Sequence, residues 1–262
     1  CQQYVDEMII VDNDEICAAI KDVFEDTRTI LEPAGALAVA GVKSYIKKNN
    51  VNSKTFVATA SGANMNFDRL GFVSERAEIG EEREAIFAVT IPEKPGAFKD
   101  FCGLIGKRNI TEFNYRYSSD SSANIFVGIG VQNFDESDSL METLKNASLD
   151  PIDLTHNEVA KLHLRHLVGG HAPEAKNEVI YRFEFPEKPG ALLNFLEQMG
   201  HWNISLFHYR NHGSDIGRVL VGMQVDEKST EEFQEFLKNL GYTYINETNN
   251  EAYKIFLGKN HF

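Results

Sequence analysis

The stretch PEKPGAFKDFCGLIGKRNITEFNYR, residues 92–116, recurs as PEKPGALLNFLEQMGHWNISLFHYR at residues 186–210. A single shift of 94 residues lays Phe101 on Phe195, Gly106 on Gly200, Asn109 on Asn203, Phe113 on Phe207 and Tyr115-Arg116 on Tyr209-Arg210. So many coincidences in one register identify a duplicated unit. After a one-residue contraction the match resumes, with Leu144-Lys145-Asn146 on Leu237-Lys238-Asn239 and Asn157-Glu158 on Asn250-Glu251.

Each copy carries the same order of patterns. Ala85, Phe87, Val89 and Ile91 alternate on one face, as do Val179, Tyr181, Phe183 and Phe185, which predicts half-buried first strands. After each Pro-Glu-Lys-Pro-Gly turn come Phe98, Phe101, Leu104 and Ile105, or Leu192, Phe195, Leu196 and Met199, at helical spacing. Second strands follow at 110–117 and 204–209, third strands through Ile125 to Val131 and Val219 to Val225, then a second helix and a short strand near 151–154 or 242–246. The order βαββαβ predicts a four-stranded antiparallel sheet with both helices on one face, the ferredoxin-like split arrangement. Units this small leave sheet edges exposed, so the two copies are expected to pair edge to edge within the chain.

The expected boundaries are 84–167 for the first copy, 168–177 for a Gly- and Pro-bearing connector, and 178–262 for the second. Ahead of them, residues 1–75 read as a piece of an α/β domain: two helices, one from Asp14-Glu15 and one from Glu32-Pro33, then a buried strand over 55–60 entering the small-residue turn Ser61-Gly62-Ala63-Asn64. Residues 76–83 are expected to be a neck, with Glu81-Glu82-Arg83-Glu84 exposed.

The 262 residues carry 26 Lys plus Arg against 39 Asp plus Glu, a formal charge of −13, which argues against a sequence-independent grip on nucleic acid or an anionic membrane. Cys1, Cys17 and Cys102 have no metal-ligand spacing, His163, His166 and His171 lack acidic or thiol partners at ligand spacing, and no apolar run reaches membrane-helix length, so no metal is expected and a reducing, cytoplasmic setting is. A start at Cys1 without Met suggests a piece of something longer.

Three segments carry a resemblance to a known family: VDEMIIVDNDEICAAIKDVFEDTRTILEPAGALAVAG, SGANMNFDRLGFVSERAEIGEEREA, and the PEKPGA pair ending in NETNNEAYKIFLG. In order and spacing the whole chain resembles biosynthetic threonine deaminase, a fold type II pyridoxal-phosphate lyase that turns L-threonine into 2-oxobutanoate and ammonia on the way to isoleucine. The resemblance implies the end of the catalytic domain followed by a regulatory domain of two ACT-like subdomains, in a homotetramer that isoleucine inhibits and valine reactivates. It also implies cofactor contacts at Ser61, whose hydroxyl faces the pyridine nitrogen, at Gly62 and Asn64 in the same turn, and at Glu32. The chain has no Ser-Phe-Lys motif and so lacks the family's Schiff-base lysine, and the glycine-rich phosphate loop is missing as well; alone it is expected to be inactive.

For the effector, the Pro-Gly turns are the leading expectation, since glycine admits close backbone approach and a helix N-terminus favours a carboxylate. This selects Gly96, Ala97 and Phe98 with Gly190, Ala191 and Leu192. The strand ends Asn114, Tyr115, Arg116 and His208, Tyr209, Arg210 are placed to meet the effector's amine or carboxylate. Phe98 and Leu192 would line the aliphatic pocket. Plainer readings stand beside these: ordinary strand-to-helix turns for the glycines, sheet packing for the tyrosines, and solvated charges or interface salt bridges for the arginines. The competing functions are a stand-alone amino-acid-binding module acting on a partner, and an oligomerisation domain.

Overall fold

The computed structural model describes residues 3–117, 121–167, 169–186, 188, 190–199, 202–211 and 216–258. The chain divides into two compact units, Cys1–Glu84 and Ala85–Phe262.

Among its described residues the first unit holds three helices, α1 (Asn13–Thr27), α2 (Pro33–Asn49) and α3 (Arg69–Gly80). A capping box starts α1: the Glu15 amide donates to Asp12 and the Asp12 amide donates back to Glu15, at 2.9 and 2.8 Å. Pro33 occupies the first turn of α2, where its missing N–H costs nothing. Cys17, Ile20, Ala36, Ala40, Val73 and Ala77 form the core of this unit. Two expectations fail here. Residues 55–60 form no strand and are exposed, Val57 at 94%. The physical reason is that a strand needs a ladder, and this unit offers no partner strand among its described residues. Residues 76–80, expected in the neck, continue α3 and bury Arg76, Ala77 and Ile79, while Glu84 is 3% exposed. The charges around this segment conceal a helical face made of Val73 and small residues.

The second unit follows the duplicated pattern. Its first copy runs β1 (Glu84–Pro92), α4 (Ala97–Ile105), β2 (Ile110–Arg116), β3 (Ser122–Gly130), α5 (Phe134–Asn146) and β4 (Asp150–Asp153), closed by a short helix α6 (Glu158–Leu162). The second runs β5 (Glu178–Pro186), α7 (Ala191–Gln198), β6 (Asn203–Arg210), β7 (Ile216–Gln224), α8 (Thr230–Asn239), β8 (Thr243–Asn246) and α9 (Glu251–Phe256). All eight strands join one sheet in the order β4-β1-β3-β2-β6-β7-β5-β8. Pro151 sits in an edge strand, the place in a sheet where its missing N–H is tolerated.

The expected edge pairing is the antiparallel β2–β6 seam, registered from Glu112↔Arg210 to Arg116↔Leu206. At its centre Asn114 faces His208, its own counterpart under the 94-residue shift, so the seam lies on an internal two-fold relation. Both strands slip register at equivalent places, between Ile110 and Glu112 and between Ile204 and Leu206. The freed carbonyls of Thr111 and Ser205 accept the amides of Asn211 and Tyr117, at 2.7 and 2.8 Å, and extend the seam at both ends. On the helix side, Phe113 and Phe207 meet at 5.3 Å between ring centroids and Phe98 touches both, joining the two copies into a single core.

In the first unit, Arg76 Nε donates to the Asp14 carboxylate, both side chains 6% exposed. Arg76→Ala leaves that carboxylate buried without its cation and is expected to cost about 3–5 kcal/mol. Hydrogen exchange resolved by segment checks this: protection over 13–80 falls, and protection over 85–258 stays.

Candidate functional site

Gly96 and Gly190 precede α4 and α7 with φ of 87° and 80°, a left-handed conformation that ordinary side chains rarely adopt. Each turn opens onto a cleft whose other wall comes from the other copy. The first cleft sets Lys94, Gly96 and Phe98 against Met199, Trp202, Asn203 and Ile204. The second sets Lys188, Gly190, Ala191 and Leu192 against Arg108, Asn109 and Ile110, with Tyr209 beside them. They enclose about 310 and 270 Å³ of space open to solvent. In this conformation each admits about one water molecule.

The 94-residue shift maps one cleft on the other, with three informative differences: Phe98 becomes Leu192, Lys99 becomes Leu193, and Trp202 stands where the other cleft has Arg108. Both keep an asparagine, a lysine from the turn and a helix N-terminus. In a chain of net charge −13 these cationic rims suit a small carboxylate, and the apolar floor suits an aliphatic side chain.

The sequence-selected residues divide between two faces of the sheet. Gly96, Phe98, Gly190, Ala191, Leu192 and Tyr209 line the clefts. Ala97 heads α4 as a buried residue outside the lining. Tyr115 stands behind the first cleft, its ring 4.6 Å from Phe98 and its hydroxyl donating to Glu93 of the turn at 2.5 Å. Burial first, then that bond, holds the Tyr115 proton well above the ordinary phenol range. Asn114, Arg116, His208 and Arg210 are on the opposite face, because alternate residues of a strand point to opposite sides. Arg116 pairs with Glu178, Arg210 donates to His166 at 2.8 Å, and Asn114 is buried with neither amide atom hydrogen-bonded. The polar strand ends therefore do not converge on the turns. Lining the clefts as well, beyond the residues selected from sequence, are Lys94, Lys188, Asn109, Asn203, Arg108 and Trp202, of which the asparagines repeat under the 94-residue shift.

In the first unit, the Glu32 amide donates to the Gly62 carbonyl at 3.1 Å. A Cβ at Gly62 would collide with the Glu32 carboxylate, so these two selected residues are held together. Ser61 and Asn64 are exposed on the same irregular stretch. Cys17 and Cys102 are buried free thiols, pushed up to about 11 and about 12 chiefly by desolvation. Cys1 and Pro189 lie outside the described residues. Among the described residues no group of His, Cys, Asp or Glu is placed to hold a metal, and no helix is long and apolar enough to cross a membrane.

Fold and clefts together define a tandem-duplicated α+β domain with paired clefts at its internal interface. Residues 75–164 and 169–257 match the C-terminal regulatory domain of threonine dehydratase. The chain is 54% identical over 258 residues to an L-threonine dehydratase of Burkholderia multivorans, covering 98% of this chain and 51% of that protein. It is 49% identical over 259 residues to the biosynthetic L-threonine dehydratase of Escherichia coli, covering 98% and 50%. Against the mitochondrial threonine dehydratase of Saccharomyces cerevisiae it is 50% identical, covering 98% and 47%. The chain belongs to the threonine dehydratase family and contains its C-terminal regulatory domain; it spans about half the length of the curated relatives it matches.

Arg108 is steered into its cleft by Glu136, which accepts from Arg108 Nε and from the Gln132 amide, both at 2.8 Å. The backbone bond first, then the guanidinium, holds the Glu136 carboxyl below the ordinary glutamate range against a desolvation effect that raises it. The ionised form is the one favoured on folding, so its contribution is complete above the unfolded glutamate value and is lost as pH falls through the depressed value. The stability difference between wild type and Glu136→Gln is thus expected to shrink as pH is lowered through that window, measured by denaturant unfolding at a series of pH values.

Proposed function

We propose that this chain is the amino-acid-sensing portion of a biosynthetic threonine dehydratase, and that its two clefts bind isoleucine and valine. The pairing of a Pro-Gly helix start with a lysine, an asparagine and an aliphatic floor, repeated about the internal two-fold, carries this reading. The helix start and lysine take the carboxylate, the asparagine side chain meets the amine, and Phe98 or Leu192 measures the side chain, each methylene being worth about 1–3 kcal/mol. The two ACT-like copies thus act as a paired sensor. Binding needs the clefts to widen, so effector occupancy and a change in their geometry are coupled.

In the complete enzyme, Ser61, Gly62, Asn64 and Glu32 would hold the ring edge of pyridoxal phosphate, which when bound acts as the electron sink for elimination of water from threonine. The close Glu32–Gly62 approach fits such an edge. The neutral Ser61 hydroxyl would meet the ring edge without supplying a proton, an environment that suits β-elimination. The rest of the catalytic machinery, a homotetrameric assembly and a cytoplasmic setting belong to the same proposal.

Three outcomes are expected. The 262-residue chain with pyridoxal phosphate and threonine yields no 2-oxobutanoate above a cofactor-only control. Isoleucine at a hundredfold excess over its dissociation constant stabilises the duplicated unit by about 2.7 kcal/mol. Gly96→Val and Gly190→Val each remove one site in isothermal titration, whereas Gly130→Val lowers stability without selectively removing a site. Unchanged affinity and stoichiometry in both turn variants would place the effector elsewhere.

A further inference from the structure

Where the first cleft has Trp202, the second has Arg108, and the two side chains are held in different ways. Trp202 packs on two rings of α8, its own ring 5.0 Å from Phe233 and 6.0 Å from Phe236. Arg108 is held by hydrogen bonds within the first copy. Its Nε donates to Glu136 Oε1 of α5 at 2.8 Å, and its Nη1 donates to the Ile105 carbonyl at the end of α4 at 2.5 Å. These bonds use two of the five guanidinium N–H groups; the other three, both on Nη2 and one on Nη1, have no acceptor among the described residues. The side chain is 31% exposed, so a ligand entering from solvent can meet it.

The wall facing Arg108 belongs to the second copy, with Lys188, Gly190 and Leu192. A Cβ at Gly190 would stand 3.7 Å from Lys107 Cγ, which sets the loop carrying Arg108 directly against the start of α7. A carboxylate at that helix start thus meets a fixed, planar, two-point donor in addition to the helix end and the Lys188 charge. The first cleft offers no such group among its described lining. Its cations, Lys94 and Lys99, are point charges on long rotatable stems whose ordering opposes binding, whereas Glu136 and Ile105 order Arg108 before any ligand arrives.

We propose that Arg108 binds the effector's carboxylate in the second cleft, and that the first cleft, with Trp202 in that place, binds without an equivalent contact. The proposal rests on the effector reading above. Two consequences distinguish Arg108 from a residue that merely shapes the cleft. The carboxylate is common to isoleucine and valine, so Arg108 strengthens the binding of both alike and leaves the choice between them to the apolar floor. A charge contact open to solvent is also weakened by salt.

The test isolates each cleft with a turn variant: Gly96→Val leaves the second and Gly190→Val leaves the first. Isoleucine and valine are titrated calorimetrically into both forms of the 262-residue chain, at low and high salt, with and without Arg108→Gln or Arg108→Lys. At the second cleft Arg108→Gln is expected to weaken both amino acids by one common factor, roughly tenfold or more, the equilibrium worth of a charged hydrogen bond, and to flatten the salt dependence. Arg108→Lys keeps the charge without the planar fork and recovers part of the loss. At the first cleft neither variant changes the affinity. Unchanged binding at the second cleft in Arg108→Gln overturns the assignment, and so does a loss shared by both clefts, the mark of a general loosening of the fold. Turn variants that still bind at both clefts, or wild-type chain that binds neither amino acid, overturn the effector reading, and the role of Arg108 falls with it.

Discussion

The antiparallel pairing of β2 with β6 is the interaction on which the regulatory unit depends. It turns two four-stranded sheets, each with an open edge, into one sheet of eight, and it places Phe113 against Phe207 so that two small cores become one. The two clefts are arranged about this seam. The helix starts that carry Gly96 and Gly190 face walls contributed across it, and the charged residues of the same strands are spent on the far side. A register slip of one residue would exchange those faces, sending Phe113 and Tyr115 outward and Arg116 into the core.

Much of this was legible in the chain itself. The 94-residue echo, the alternation of Phe87 with Val89 and the helical spacing of Phe98, Phe101 and Ile105 led to the element order, and exposed edges led to the pairing. The first unit was less legible, since a run such as Phe56-Val57-Ala58 has strand propensity but a strand exists only with a partner to complete its ladder. Helix α3 was overlooked because Val73, Ala77 and Gly80 make a narrow apolar stripe among charges.

The candidate site was legible in part. Pro-Gly turns repeated before two helices point to the clefts, whereas the adjacent pairs Tyr115-Arg116 and Tyr209-Arg210 cannot serve as common ligands, because neighbours along a strand face apart. Period-two alternation was enough to separate them. What pattern alone did not supply was the identity of the opposite wall, Trp202 or Arg108, because that wall comes from the other copy and depends on the seam register.

The join between the copies has a consequence at the level of dilution. In an assembly of two separate chains, clefts with walls from both partners would vanish whenever the partners came apart, and their number would follow protein concentration. Here the residues following α6 lead directly into β5, so the partner is always present at the high local concentration a short tether provides. The paired clefts therefore persist in a scarcely expressed protein as in an abundant one. Covalent union also lets the halves diverge: Phe98 against Leu192 and Trp202 against Arg108 are differences that a symmetric homodimer cannot encode.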